Sequence, residues 1–139
     1  MKRFSLFTVS MIALCLLAFS SIGFFGFKAW TDNQYGEYNL TNGKSKFIAN
    51  CAVCHGNKGL GDGIASGTLT ISPDNIYDEL KNPFGLKQEL ISSVLDGDNG
   101  QGGLMPAFQT TLTEKDVNDI FGYIESHGYF HCSRRYLCP

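Results

Sequence analysis

Two features are missing from this chain of 139 residues. No stretch alternates apolar and polar residues convincingly enough to read as a half-buried strand. No internal repeat is visible. Without strands there is no βαβ pattern, which a thioredoxin-like cysteine pair would need around it. A phosphate-cradling loop is missing too. Five glycines fall between Gly56 and Gly67, but they neither match G-x-x-x-x-G-K-[ST] nor follow a strand. Cations are scarce. From Trp30 to His131 there are six lysines and no arginine, against 13 acidic residues, a balance of minus seven. That balance argues against nucleic acid as a partner, and Arg134 and Arg135 near the C-terminus are too few to reverse it.

What is present centres on Asn50-Cys51-Ala52-Val53-Cys54-His55-Gly56. A C-x-x-C-H run is the attachment site of a c-type haem. Each cysteine can form a thioether to a haem vinyl group, and the adjoining histidine can reach the iron. A zinc site is the rival, but zinc needs four ligands and no second close pair of the right type accompanies this one.

The N-terminus predicts export. Lys2 and Arg3 precede an uncharged stretch from Phe4 to Phe27. The stretch exceeds the usual signal-peptide apolar region and is long enough to span a bilayer. Its leading basic residues predict a cytoplasmic N-terminus, and Trp30, Tyr35 and Tyr38 suit the membrane–water boundary. An uncleaved anchor is the preferred expectation, with cleavage near Ala18-Phe19-Ser20 as the alternative. Lipidation at Cys15 is discounted because Leu14 stands where a small residue is wanted. Either way the remainder lies outside the cytoplasm, on the periplasmic side. In that oxidising setting Cys132 and Cys138 are expected to form a disulfide. The expected division is a leader over 1–27, a linker over 28–40, a domain over 41–127 and a tail over 128–139.

Along the domain, Thr41 or Asn42 can cap a helix starting near Gly43, with Phe47, Ile48 and Cys51 on one face. The glycine-rich stretch that follows reads as a loop passing close to a flat ligand. Asp74 to Leu80 could be a short helix. Leu86, Leu90, Val94 and Leu95 mark a further helix ended by Gly97. Thr113 and an acidic first turn open the last helix, with Val117, Ile120, Phe121 and Ile124 as its buried stripe and Gly128 as its stop.

The sixth iron ligand is expected to be Met105. Met1 and Met11 belong to the leader, so Met105 is the only methionine of the exported part. It lies in a loop, and Pro106 restrains the residue before it toward an extended form. Thioether ligation would raise the potential relative to a second imidazole. His127 and His131 are the alternatives, each expected to face solvent near the end of the last helix.

Taken in order, Gly43-x-x-x-Phe47-x-x-x-Cys51-x-x-Cys54-His55-Gly56, Gly61-Asp62-Gly63, Met105-Pro106-Ala107-Phe108 and Tyr123-Ile124 resemble the class I monohaem cytochromes c of bacteria. The resemblance runs from about Thr41 to His127. It implies an all-α fold of three to five helices around one covalent haem c, preceded here by the membrane helix. It implies Gly43 and Phe47 packing against Tyr123 where first and last helices cross. It also implies a proline carbonyl, here that of Pro73, accepting a bond from the ligand histidine. The function it implies is electron transfer, not catalysis, between a redox donor and acceptor, such as a membrane complex or a periplasmic dehydrogenase. A cytochrome subunit of a larger respiratory complex is the second expectation, and an open-site haem enzyme is a third. A domain this small has little core of its own, so the chain without haem is expected to be largely unfolded.

Overall fold

Helices form here because the apolar residues recur at helical spacing and the caps stand where those stripes begin. The computed structural model describes residues 6–97 and 103–128. Among them are six α-helices, one short 3-10 turn at Ser66–Thr68 and no strand. The helices are α1 (Leu6–Asn33), α2 (Leu40–Asn50), α3 (Ala52–His55), α4 (Ile76–Lys81), α5 (Lys87–Asp96) and α6 (Glu114–Gly128). The expected all-α architecture is therefore the one observed. The chain divides into two compact units after Gln34.

The first unit is α1. Its 28 residues extend about 42 Å at 1.5 Å per residue, more than the roughly 30 Å of a bilayer's hydrocarbon core. Its side chains from Thr8 to Phe27 are almost all exposed, so nothing in this unit covers the apolar surface. The helix continues through Lys28 to Asn33, where the sequence reading places a linker. Lys28 pairs with Asp32 one turn on, and the Thr31 hydroxyl donates to the Lys28 carbonyl, which extends the helix into polar sequence.

In the second unit α2 begins three residues earlier than expected. Asn39, not Thr41 or Asn42, is the N-cap, and its side chain accepts from the Asn42 N–H. Phe47 is fully buried, whereas Ile48 is exposed, so only part of the expected apolar face turns inward. The fully buried residue of α5 is Ile91. The expected Leu90, Val94 and Leu95 are only half-buried against the same core. The α6 stripe is as read: Val117, Ile120, Phe121, Tyr123 and Ile124 are all buried. At its start Thr113 and Asp116 cap one another reciprocally, N–H to carboxylate and N–H to hydroxyl.

The core is organised by α2 crossing α6. Phe47 meets Tyr123 with ring centroids 5.7 Å apart, as expected. Gly43, however, faces the α6 backbone rather than Tyr123. A Cβ there would lie 2.0 Å from the Asp119 carbonyl oxygen. The crossing is tied by polar contacts at its rim. The Asp119 carboxylate is buried and accepts from the Asn39 N–H and from Asn42 Nδ2, both at 2.9 Å, and from Lys115. Burial would raise its pKa, but these donors outweigh it and hold the carboxyl below its usual value. Asp116 accepts from Asn42 Nδ2 at 2.9 Å and from the Thr113 N–H at 3.0 Å. Those bonds, Asn42's foremost, bring its pKa from 3.8 to about 2.

Two outcomes are expected. Gly43→Ala gains about 1 kcal/mol of helix propensity, but its methyl group falls deep inside contact with backbone that cannot rotate away. Overpacking of that kind costs about 1–3 kcal/mol, occasionally more, so the net effect is destabilisation, measured by denaturant unfolding followed by circular dichroism. The second concerns acid. A depressed folded-state pKa contributes stability that is present above the unfolded value and is lost as pH falls through the folded one. Melting temperature therefore drops between about pH 4 and pH 2 through Asp116, and Asp116→Asn flattens that part of the profile.

Candidate haem site

The site is built where α2 gives way to α3. The Cys51 N–H still donates to Phe47 at 2.8 Å, closing α2, while its carbonyl receives the His55 N–H at 2.9 Å, opening α3. Cys51, Cys54 and His55 thus sit on one tight turn, and all three line a cavity of about 400 Å³. Val53, between the cysteines, points outward and is exposed.

No disulfide joins Cys51 to Cys54. Burial, aided by the neighbouring Cys54, pushes the Cys51 thiol up to about 11. Among the described residues, no three His, Cys, Asp or Glu side chains gather to hold a bare metal ion. Cys132, Cys138 and His131 lie outside the described residues.

His55 is oriented by a carbonyl. Its Nδ1 donates to the Asp74 carbonyl oxygen at 3.0 Å. A proton held on Nδ1 leaves the Nε2 lone pair for a metal. The expected acceptor was Pro73. Its carbonyl is instead turned toward Gly61, where a Cβ would come within 2.3 Å of it, so the next carbonyl reaches the ring. Nothing in the sequence separates these two acceptors, because the choice depends on how the loop from Gly56 to Asp74 closes. Gly61 has φ of +80°, a conformation open to glycine at little steric cost.

Met105 comes to the same cavity from a different part of the chain. Its loop is strapped to the end of α5, with the Phe108 N–H donating to Val94 at 3.3 Å and the Gln109 N–H to Leu95 at 3.0 Å. Val94, Phe108, Ile120 and Phe121 add apolar wall. Among the described residues lining the cavity, Asp74 is the one that carries a charge. Asn50, Ser72 and Ser93 supply neutral polar groups there that the sequence reading did not single out. His127 is absent from the lining. Its Nδ1 stays near the Tyr123 carbonyl at 3.0 Å and its ring is exposed, as expected for a residue at the end of the last helix.

Two thiols, an imidazole with a fixed tautomer, and a thioether around one apolar cavity fit a covalently held haem. Together with the helical fold they define a class I c-type cytochrome. The chain belongs to the family described as cytochrome c oxidase, cbb3-type, subunit III, whose model matches residues 39–124. Membership implies a covalently bound c-type haem. The chain is 30% identical over 88 residues to cytochrome c6 of Parathermosynechococcus lividus, which covers 62% of this chain and 87% of that protein. It is 33% identical over 91 residues to cytochrome c6 of Pyropia tenera, covering 63% and 92%. It is 29% identical over 86 residues to the cbb3-type cytochrome c oxidase subunit FixP of Azorhizobium caulinodans, covering 62% of this chain and 26% of that one. No solved structure is a significant match. The chain is thus a cytochrome c-type electron carrier.

One prediction concerns the loop that orients His55. Gly61→Ala places a methyl group against the Pro73 carbonyl in a strained backbone conformation. It is expected to destabilise the haem-loaded protein by about 1–3 kcal/mol, read as a lower unfolding midpoint of the haem absorption.

Proposed function

We propose that the chain transfers single electrons at the outer face of the cytoplasmic membrane. One haem c is bound through Cys51 and Cys54, with His55 and Met105 as axial ligands. The observation that carries this reading is that His55 and Met105 line one cavity although 50 residues separate them in sequence. The haem supplies a one-electron couple. The residues do the rest. Asp74 holds the Nδ1 proton of His55, so Nε2 remains the ligating atom. The α5 strap presents Met105 to the same cavity as His55, and a haem iron held by both residues would leave no position for a substrate. The apolar wall excludes water and, with a thioether ligand, favours a raised potential. These residues leave little room for an open-site haem enzyme.

The long apolar α1 supports confinement to a membrane, with a soluble periplasmic carrier as the form if the leader is cleaved. Donor and acceptor would be redox proteins, such as a quinol-oxidising complex or periplasmic dehydrogenase and a terminal oxidase. A second reading has the same haem in a permanent subunit of a larger complex. The description of the matched family and the likeness to an oxidase subunit favour it. Solubilisation in mild detergent separates the two, as a heavy assembly or a monomer-sized band.

The test of ligation is spectroscopic. The oxidised protein is expected to show a far-red sulfur-to-iron charge-transfer band. Met105→Ala should abolish the band, admit external ligands to the iron and lower the midpoint potential by on the order of a tenth of a volt. A band that survives the substitution would exclude Met105 as ligand.

A further inference from the structure

We propose that Gly97 is a positioning residue for Met105. The backbone of Met105, Pro106 and Ala107 occupies the space a Gly97 side chain would need, so the last turn of α5 fixes where the thioether reaches the haem cavity. This inference rests on the reading of Met105 as an iron ligand and names what holds it in place. A Cβ on Gly97 would lie 2.7 Å from the Ala107 nitrogen and 2.9 Å from both the Met105 carbonyl oxygen and the Pro106 carbonyl carbon. All three are backbone atoms, so no rotamer change relieves the overlap. Gly97 is itself buried and lines the cavity together with Met105 and Pro106. Its φ of 73° and ψ of −158° belong to a region open essentially to glycine alone. A glycine that only stops a helix usually takes the left-handed conformation, with both angles positive. At Gly97 the chain leaves α5 extended instead.

The contact completes a joint between helix and loop. The last four carbonyls of a helix have no partner within it. At the end of α5 the Ser93 carbonyl accepts from the Gly97 N–H at 3.0 Å, Val94 from the Phe108 N–H at 3.3 Å and Leu95 from the Gln109 N–H at 3.0 Å. The ligand loop therefore caps the C-terminus of α5. Hydrogen bonds at Phe108 and Gln109 alone would leave the three residues before them room to swing, and Met105 is one of the three. Gly97 removes that freedom by direct backbone contact. The helix is anchored in turn by Ile91, which is 1% exposed in the core. A sulfur placed by backbone has little to rearrange as an electron arrives or leaves, and preorganised groups cost no reorganisation at the moment of reaction. In this arrangement Met105 leaves the iron only as the end of α5 opens.

The test uses the full haem-loaded chain in detergent, with imidazole as the probe. Excess imidazole displaces the thioether from oxidised iron: the iron–sulfur bond breaks, an iron–nitrogen bond forms and no electron moves. Gly97→Ala is expected to bind imidazole about tenfold faster than wild type, or more. It should also lose the far-red sulfur-to-iron band at a lower temperature than it loses helical circular dichroism. Gly43→Ala, which strains the α2–α6 crossing instead, is expected to unfold earlier yet bind imidazole at the wild-type rate. Gly67→Ala, where an added Cβ meets nothing within 4 Å, should change neither property. Should Gly97→Ala carry no haem, the wild type serves. Imidazole is then expected to speed amide hydrogen exchange at Gly97, Phe108 and Gln109 while leaving Ile120 on α6 unchanged. A wild-type binding rate in Gly97→Ala, an equal acceleration in Gly43→Ala, or unchanged exchange at those three amides would overturn the proposal. A wild-type haem without the far-red band would instead overturn Met105 as ligand.

Discussion

The close approach of α2 to α6 governs the rest of the molecule. Gly43 leaves no side chain between the two helices, so the α6 backbone at Asp119 fills the space a Cβ would take. That contact sets how far Phe47 reaches toward Tyr123. Through the one-residue junction at Cys51 it also sets where α3 presents Cys54 and His55. The carboxylates of Asp116 and Asp119 bind the rim of the same crossing through Asn39, Asn42 and Lys115. A buried carboxylate is costly unless its oxygens are satisfied; here three donors on Asp119 make the polar rim compatible with the apolar interior.

The two ligand candidates are held by different physical means. His55 is fixed by a backbone carbonyl, so its orientation does not depend on the rotamer of another side chain. Met105 is fixed by a loop whose next residues hydrogen-bond to the end of α5. A thioether is flexible and soft, and it needs its backbone placed more than its side chain oriented. An imidazole has two distinct nitrogens and needs the wrong one occupied. The arrangement answers each requirement separately, and the cavity wall from α5 and α6 joins them into one site.

The outer surface follows another logic. The domain's few cations are largely committed. Lys46, Lys81 and Lys115 pair with Asp116, Glu125 and Asp119. Exposed ion pairs of this kind contribute little to stability.

The haem motif, the α6 stripe and the all-helical class are local properties, legible because spacing and residue type alone encode them. Cys51, Cys54 and His55 are adjacent in sequence, and Val117 to Ile124 repeat at the helical period. Met105 was legible as a candidate by elimination, as the only methionine beyond the leader, and the structure brings it to the cavity that His55 lines. Other features depend on distant segments meeting. Ile91 rather than Leu90 is the most buried residue of α5 because the helix is rotated against α6, and hydrophobicity does not distinguish the two residues. Asn39 rather than Thr41 starts α2, since any of several polar residues can cap and only the path of the entering chain selects one. Asp74 rather than Pro73 orients His55 because Gly61 occupies the space in front of the earlier carbonyl. By itself the sequence determined which groups can bind haem and iron. The tertiary structure decided which carbonyl and which helix face serve them, because those choices rest on close contacts between segments far apart in the chain.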